Sequence, residues 1–403
     1  MTHILISGAS VAGPALAYWL RRYGIDVTVV ERAPELRPGG QAIDIRGAAR
    51  TVIERMGLMD AVRAAHTGTL GIANVDDRGR WVAEMPADAF GDSGGIIADL
   101  EILRFDLARI LHGAAEGVEY LFDDTITGLT ETSDGVDVRF ERAAPRRFDL
   151  VVGADGIFSN TRRLAFPQGS WRMVDSGYHR AVFTTDTSLD LAGWELMYNM
   201  PAGNGTSGGR NAMLYPVPGG TRGMFHFACD PIEYDRRDVE QQKRIVAGVY
   251  EGEGWEVPRM VESMRHAPDF YFDRHGKIVM DSWSHGRVVL LGDACAAGSV
   301  GMGTSMALVG AYVLAGELVA ARGDHQVAFA AYQSVLRDYV AGNLKPMPGG
   351  VKGFLPTTAR GVRLRNASMR WMMRLPGRSL MMGGIDKAVN AIDLPDYPVP
   401  AAR

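Results

Sequence analysis

Cysteine is nearly absent: Cys229 and Cys295 are the only two in 403 residues. Two cysteines cannot build a disulfide framework or a cysteine-rich metal site, and their scarcity fits a reducing cytosol. The nine histidines show no H-x-x-x-H or H-E-x-x-H spacing, so no metal site is expected. No P-loop occurs, so no signature supports an NTPase. No charge sign dominates: 43 Lys and Arg stand against 47 Asp and Glu, a net charge of -4, so no basic field invites nucleic acid. Long apolar runs are missing too. The longest, 306–321, is broken by Glu317 and small residues, which argues against a membrane span. No signal peptide precedes the first strand. A cytoplasmic protein without membrane, nucleic-acid or metal partners is therefore expected. Glycine, by contrast, is plentiful at 49 residues, and 46% hydrophobic with 22% charged residues is ordinary for a globular chain long enough for two domains.

Those glycines concentrate in three stretches. The first, residues 3–20, runs from Ile4, Leu5 and Ile6 through Gly8-Ala9-Ser10-Val11-Ala12-Gly13 into an Ala/Leu-rich helix pattern. Strand, glycine turn and helix let backbone N–H groups and a helix N-terminus face a pyrophosphate, because no side chain holds the phosphates away. Ser10 stands where G-x-G-x-x-G has its middle glycine, and serine is small enough to keep the close approach. A second strand over 25–30 ends at Glu31-Arg32, and an acid at that point accepts from the ribose hydroxyls of a dinucleotide. The second stretch, 148–163, leads from Leu150-Val151-Val152 into Gly153-Ala154-Asp155-Gly156, with Arg162 and Arg163 on the helix that follows. In the third, 287–318, a buried strand ends at Gly292-Asp293, a loop carries Gly298 and Gly301, and a long helix starts near Gly303.

Between them, a loop around Pro38, Gly39 and Gly40 precedes a short strand at 41–45, with Asp44 and Arg46 returning towards the bound dinucleotide. Residues 48–66 read as helix, 68–86 as a hairpin around Asp76-Asp77-Arg78-Gly79, and 118–140 as two strands. A helix opens near Glu101 with Arg104 in its first turn. From 170 to 277 strand alternation dominates, at 178–185, 195–200, 212–216 and 223–228, with one helix at 240–250. That block reads as a mostly antiparallel β domain inserted into an α/β one. A helix is expected at 327–340, and a basic, Met-rich helix within 360–382 packs along the body.

Taken in order, the three stretches resemble the aromatic-hydroxylase class of FAD-dependent monooxygenases, the p-hydroxybenzoate hydroxylase-like family, over about residues 1–344. The loop Gly40-Gln41-Ala42-Ile43-Asp44 and the run Met302-Gly303-Thr304 resemble most the tetracycline-degrading monooxygenases and actinobacterial polyketide hydroxylases. The resemblance implies a Rossmann-like FAD-binding domain from 1–67, 96–168 and 278–345. It also implies a substrate-binding β-sheet domain from 68–95 and 169–277, with a C-terminal helical extension at 346–403. It implies that Gly8, Ser10, Val11, Ala12, Gly13, Glu31 and Arg32 hold the ADP end of FAD. By the same likeness Gln41 and Asp44 border the cofactor, Arg104 reaches the ribityl chain or pyrophosphate, and Ile126 offers its backbone to adenine. Asp155 would serve FAD and the passing nicotinamide cofactor, Gly292 and Asp293 the ribityl chain, and Gly301 and Gly303 the loop beside the flavin ring. That loop departs from the family pattern, having neither the usual His or Tyr after the Asp nor a proline.

The activity so implied is hydroxylation of an aromatic or polyketide-type molecule: NAD(P)H reduces FAD, and O2 adds to give a flavin C4a-hydroperoxide that delivers one oxygen. The flavin carries the chemistry, so no catalytic side chain is named. Pocket candidates are His226, Tyr215, Met213 and Arg46. The short loop after Asp293 keeps open an FAD-binding cyclase or isomerase without net oxidation. A nicotinamide-only dehydrogenase fits the glycine fingerprint alone, and a non-catalytic flavin binder is a third alternative. A monomer or weak dimer is expected.

Overall fold

A computed structural model describes residues 2–36, 40–89, 98, 100–346, 349–375 and 389–398. At its centre, a six-stranded sheet takes the strands in the order Ser284–His285, Val288–Leu290, Leu150–Gly153, His3–Ser7, Asp26–Glu31, Glu119–Phe122. All neighbours are parallel except the edge pair Ser284–His285 with Val288–Leu290. Strands covered on both faces need continuous apolar runs, and Ile4, Leu5, Ile6, Val151 and Val152 are each 0% exposed. Helices Ala12–Arg22, Gly303–Ala320 and His325–Asn343 pack together over this sheet. Gly303–Ala320 corrects one expectation from the sequence. By length and composition it could cross a bilayer, but it is apolar all round because it is buried inside the body.

The second sheet has seven strands, ordered Tyr271–Met280, Trp171–Thr185, Gly220–Ala228, Arg210–Val217, Trp194–Met200, Gly71–Val75, Trp81–Pro86. It is antiparallel except where Gly71–Val75 runs parallel to Trp194–Met200. Strand alternation gives it two faces. One is covered by helices Val239–Val249 and Val257–His266 and packs Phe183, Leu196, Leu214, Phe225 and Phe227 into a core of its own. The other carries Glu195, Met197, Asn211, Met213, Tyr215 and His226. Two small sheets, Ala42–Asp44 with Glu101–Leu103 and a three-stranded one over 126–148, complete the body.

Two further elements differ from the sequence reading. The helix expected at 48–66 is two, Ala48–Arg55 and Met59–Ala64, broken where Gly57 takes φ +72°. The tail is helical at Gly350–Phe354 and Ala359–Arg374, and the latter lies on the seven-stranded sheet through Met369. Residues 375–382 of the expected Met-rich helix fall largely outside the described residues. Beyond them, 391–398 is a non-helical strap, contrary to a wholly helical extension: three prolines in 395–400 cannot continue a helix. The strap is seated by Tyr397, whose hydroxyl donates to Glu317 Oε1 at 2.6 Å while its ring covers Gly316.

Candidate functional site

The glycine turns of all three stretches meet at the C-terminal ends of the parallel strands, where open α/β sheets place their ligands. Gly8 leaves the first strand at φ +111°, and a Cβ there would lie 2.5 Å from the Ala154 carbonyl oxygen. Any larger residue would push the first and second stretches apart. Gly13 backs onto the Gly8 carbonyl, so helix Ala12–Arg22 starts hard against the strand. Its N-cap, Val11, makes no side-chain cap and its first turn holds no acid. The positive end of the helix is thus left for an anion. Glu31 accepts from Ala9 N at 2.9 Å and from Ala33 N at 2.8 Å, which ties the end of the second strand to the turn. Arg32 beside it is exposed. Arg104, 94 residues from Ser10, donates to its Oγ at 3.3 Å. Gly40 lies against the same guanidinium, and the Gln41 carbonyl accepts from Arg104 N at 3.1 Å.

The third turn closes the group. Gly292 packs beside Ala12 and Ala307, and Gly303 beside Asp293 Oδ1, where a Cβ would sit 3.6 Å away. Asp293 lies deep in the protein, yet its side chain meets open space, so it lines an internal cleft. Burial pushes its carboxyl above the usual range; Arg180 and Arg104 oppose that rise and Asp273 adds to it. Gly301 borders Asp44 Oδ2, and Arg46 N donates to Ser305 Oγ at 3.0 Å. Arg46 also pairs with Asp44 at 2.7 Å, and Ala98 N donates to the other Asp44 oxygen at 3.1 Å. Helix Gly303–Ala320, like the first, has no side-chain cap at its N-terminus.

Like Glu31, two further predicted residues have protein partners for the groups they were expected to offer. The Asp155 carboxylate accepts from Ser159 Oγ, from Asn160 N at 2.8 Å and from Thr161 N at 2.9 Å, capping the short helix Asn160–Ala165. The Ile126 carbonyl accepts from Asn160 Nδ2 at 2.6 Å. Both hold the second turn in shape. Arg162 does more than the sequence announced: it donates to Ile157 O and Ala294 O, each at 2.7 Å, and lies over Trp171 at 4.3 Å. It therefore pins the second turn to the third.

Of the four pocket candidates, His226, Tyr215 and Met213 share the sheet face away from the aromatic core, whereas Arg46 belongs to the cofactor body. His226 Nδ1 lies 2.9 Å from Asn211 Oδ1, and Asn211 Nδ2 points to Met197 Sδ at 3.8 Å. That network makes Nδ1 the donor and leaves Nε2 an acceptor. Burial, with Arg180 and His275 adding, pushes His226 down to about 3, so it is neutral at physiological pH. Met213 joins Met85, Met197 and Met369 in an apolar cluster under the tail helix. Among the described residues the Tyr215 hydroxyl is buried without a hydrogen-bond partner. Opposite it the face turns acidic. Glu101 accepts from Thr67 Oγ1 at 2.5 Å and Thr69 Oγ1 at 2.7 Å, and burial, then the Asp44 charge, raise it to about 7. Glu195 is raised further, by burial and then by Glu101 and Asp44. Sequence reasoning missed Glu101 and Glu195; the signal was an acid amid apolar neighbours at an inward position of a strand. A second polar group joins Arg180 to Asp273 at 3.2 Å, with the Tyr271 hydroxyl donating to the same carboxylate at 2.8 Å.

These features define a dinucleotide site on an α/β body facing the polar side of a β-sheet. Residues 1–332 match the family described as FAD binding domain, and the chain belongs to that family. Among relatives, the uncharacterized protein Rv1260 of Mycobacterium tuberculosis (strain ATCC 25618 / H37Rv) is 44% identical over 364 residues, covering 88% of this chain and 95% of that protein. A flavin-dependent monooxygenase of an unknown prokaryotic organism is 35% identical over 403 residues, covering 98% of both. Among solved structures, that of tetracycline destructase Tet(51) superposes with a TM-score of 0.83 at 32% identity, covering 98% of this chain and 100% of the other. The chain is a flavoprotein of the flavin-dependent monooxygenase class, and FAD is its cofactor. The uncapped helix Ala12–Arg22, the small residues at 8–13 and the cleft-lining Asp293 fit that cofactor.

Proposed function

We propose that this monooxygenase uses NAD(P)H and O2 to hydroxylate an aromatic or polyketide-type small molecule in the cytoplasm. The observation that carries the reading is the meeting of the three glycine turns at a cleft lined by Asp293. In this assignment the ADP end of FAD lies along Gly8 to Gly13, with Ser10, Val11 and Ala12 allowing its phosphates to approach the helix N-terminus. Glu31 faces the ribose, Arg104 the pyrophosphate or ribityl chain, and Asp293 the ribityl hydroxyls. Bound FAD supplies hydride acceptance and oxygen activation. The protein orients and dries the site. The uncapped N-terminus of Gly303–Ala320 would offer its positive end to the flavin ring. His226, fixed as an acceptor by Asn211, takes a hydrogen bond from a substrate hydroxyl, and the Met213 cluster offers a polarizable wall to a flat ring. Small-molecule handling of this kind supports the polyketide assignment, since tetracycline destructases share the fold.

Oxygen uptake and NADPH consumption with a panel of polyketide aromatics test the reading, with product mass as the readout. A product heavier by one oxygen is expected. Turnover of substrate at unchanged mass would replace hydroxylase by isomerase. Asp293→Ala is expected to leave the protein folded and strip its flavin on gel filtration; full flavin occupancy would remove Asp293 from the ribityl position.

A further inference from the structure

Helix Ala359–Arg374 carries five arginines and no carboxylate in 16 residues, within a chain whose net charge is -4. Its two sides differ in kind. Inward, Arg365 donates to Asn199 Oδ1 at 2.7 Å and to Phe354 O at 2.8 Å, and Asn366 Oδ1 accepts from Asn74 Nδ2 at 2.9 Å. Met369 is buried beside them in the methionine cluster. Outward, Leu364 and Trp371 are separated by about two helical turns, so one stands above the other. They are 72% and 62% exposed, the highest values for large apolar side chains among the described residues. Arg360, Arg363, Arg370 and Arg374 are exposed alongside them, and none forms an ion pair among the described residues. The occupant of such a side is anionic and accepts apolar groups. A second copy presenting the same side would set arginine against arginine. Nucleic acid answers the charge but leaves Leu364 without a partner. An anionic phospholipid surface answers both, because guanidinium groups pair with headgroup phosphates and an indole settles at headgroup level.

We propose that the outer side of helix Ala359–Arg374 docks the protein on an anionic phospholipid surface. Trp371 and Leu364 enter the headgroup layer, and Arg360, Arg363, Arg370 and Arg374 hold its phosphates. The proposal amends the expectation of a chain without a membrane partner and needs no spanning segment. It stands independently of the reaction proposed above. The inner side of the same helix closes the Met213 cluster, so docking sets the polar face of the β-sheet next to the lipid, where apolar small molecules concentrate.

Co-sedimentation of the FAD-loaded protein with sucrose-filled vesicles tests it, using phosphatidylcholine alone and an equimolar mixture with phosphatidylglycerol. Binding to the mixed vesicles is expected to be at least about ten-fold tighter than to the neutral ones, and to fall as salt is raised. Arg370→Gln with Arg374→Gln is expected to weaken it by about ten-fold or more. Trp371→Ala is expected to remove the shift of tryptophan emission to shorter wavelength that mixed vesicles cause in the wild type. Because all three side chains are exposed, flavin content and melting temperature should be unchanged in both variants. Absence of binding to the mixed vesicles overturns the proposal. So does equal binding to both kinds of vesicle, or binding that the double arginine variant retains in full. A wild-type dimer that Trp371→Ala dissociates, or binding of duplex DNA without binding of vesicles, overturns it by giving this side another occupant. Each of these failures leaves the monooxygenase reading intact.

Discussion

Along Arg210–Val217, Ala212 and Leu214 point into a core with Phe225, Phe227 and Tyr250, while Asn211, Met213 and Tyr215 point the opposite way. The two faces are built by the same strands at the same register, so backbone geometry cannot distinguish them. What differs is how many polar groups each face buries. On the core face, rings stack on rings: Phe225 lies 4.1 Å from Tyr250 and 5.3 Å from Phe183. On the facing side, the Tyr215 hydroxyl, Asp273 Oδ1 and Arg180 Nε are buried without hydrogen-bond partners among the described residues. Each such group costs about 1–3 kcal/mol. The core face buries one comparable group, His179 Nε2, stacked on Phe227 at 5.2 Å, so the two-residue period of the strand separates an aromatic face from one richer in polar groups.

Substitution on each face sharpens that contrast. Phe225→Ala empties a fully buried ring site and is expected to lower stability by about 3–5 kcal/mol, read from urea unfolding curves. A loss below about 1 kcal/mol would mean that the aromatic face is not the stabilising one. Glu101→Gln comes next. Glu101 titrates near 7 in the fold against 4.5 for the free side chain, so the folded state binds more protons between those values. Its contribution to stability is therefore greatest at and below about pH 4.5, falls as pH rises to about 7, and is level above that. Replacing it should raise stability at pH 8 relative to pH 5 by about 2–3 kcal/mol compared with the wild type. A difference between the two proteins that ignores pH would show that Glu101 is not held neutral at the seam. The smallest effect is expected for Met213→Leu, which keeps volume and loses the sulfur: under about 1.5 kcal/mol in thermal unfolding, with the change showing instead in substrate KM. A loss as large as that of Phe225→Ala would erase the distinction between the faces.

Much of the cofactor body was legible. Each glycine turn announces itself locally, because only a small residue allows backbone to approach backbone as Gly8 does Ala154 and Gly13 does Gly8. The strands before those turns are equally plain, each carrying an apolar run: Ile4-Leu5-Ile6, Leu150-Val151-Val152 and Val288-Val289-Leu290. The sheet face was half legible: alternation assigns His226, Tyr215 and Met213 to one side, yet it does not say that Asn211 fixes the His226 tautomer. Least legible were the engagements of charged side chains. Nothing near Asp155 in sequence shows that its carboxylate caps its own helix, and nothing near Arg104 names Ser10.

The sequence alone determined the order of strand, turn and helix, the periodicity of the sheet and the chemistry each turn could present. All of these depend on residues within a few positions of one another. Tertiary structure decided which turns meet: Gly303 comes beside Asp293, Arg46 beside Ser305 across 259 positions, and Glu195 beside Glu101. It also decided that the apolar helix Gly303–Ala320 lies inside the body and that residues 391–398 form a strap seated by Tyr397. The physical reason is that such contacts form only when distant segments share one core, and the energy of each depends on the burial that sharing creates.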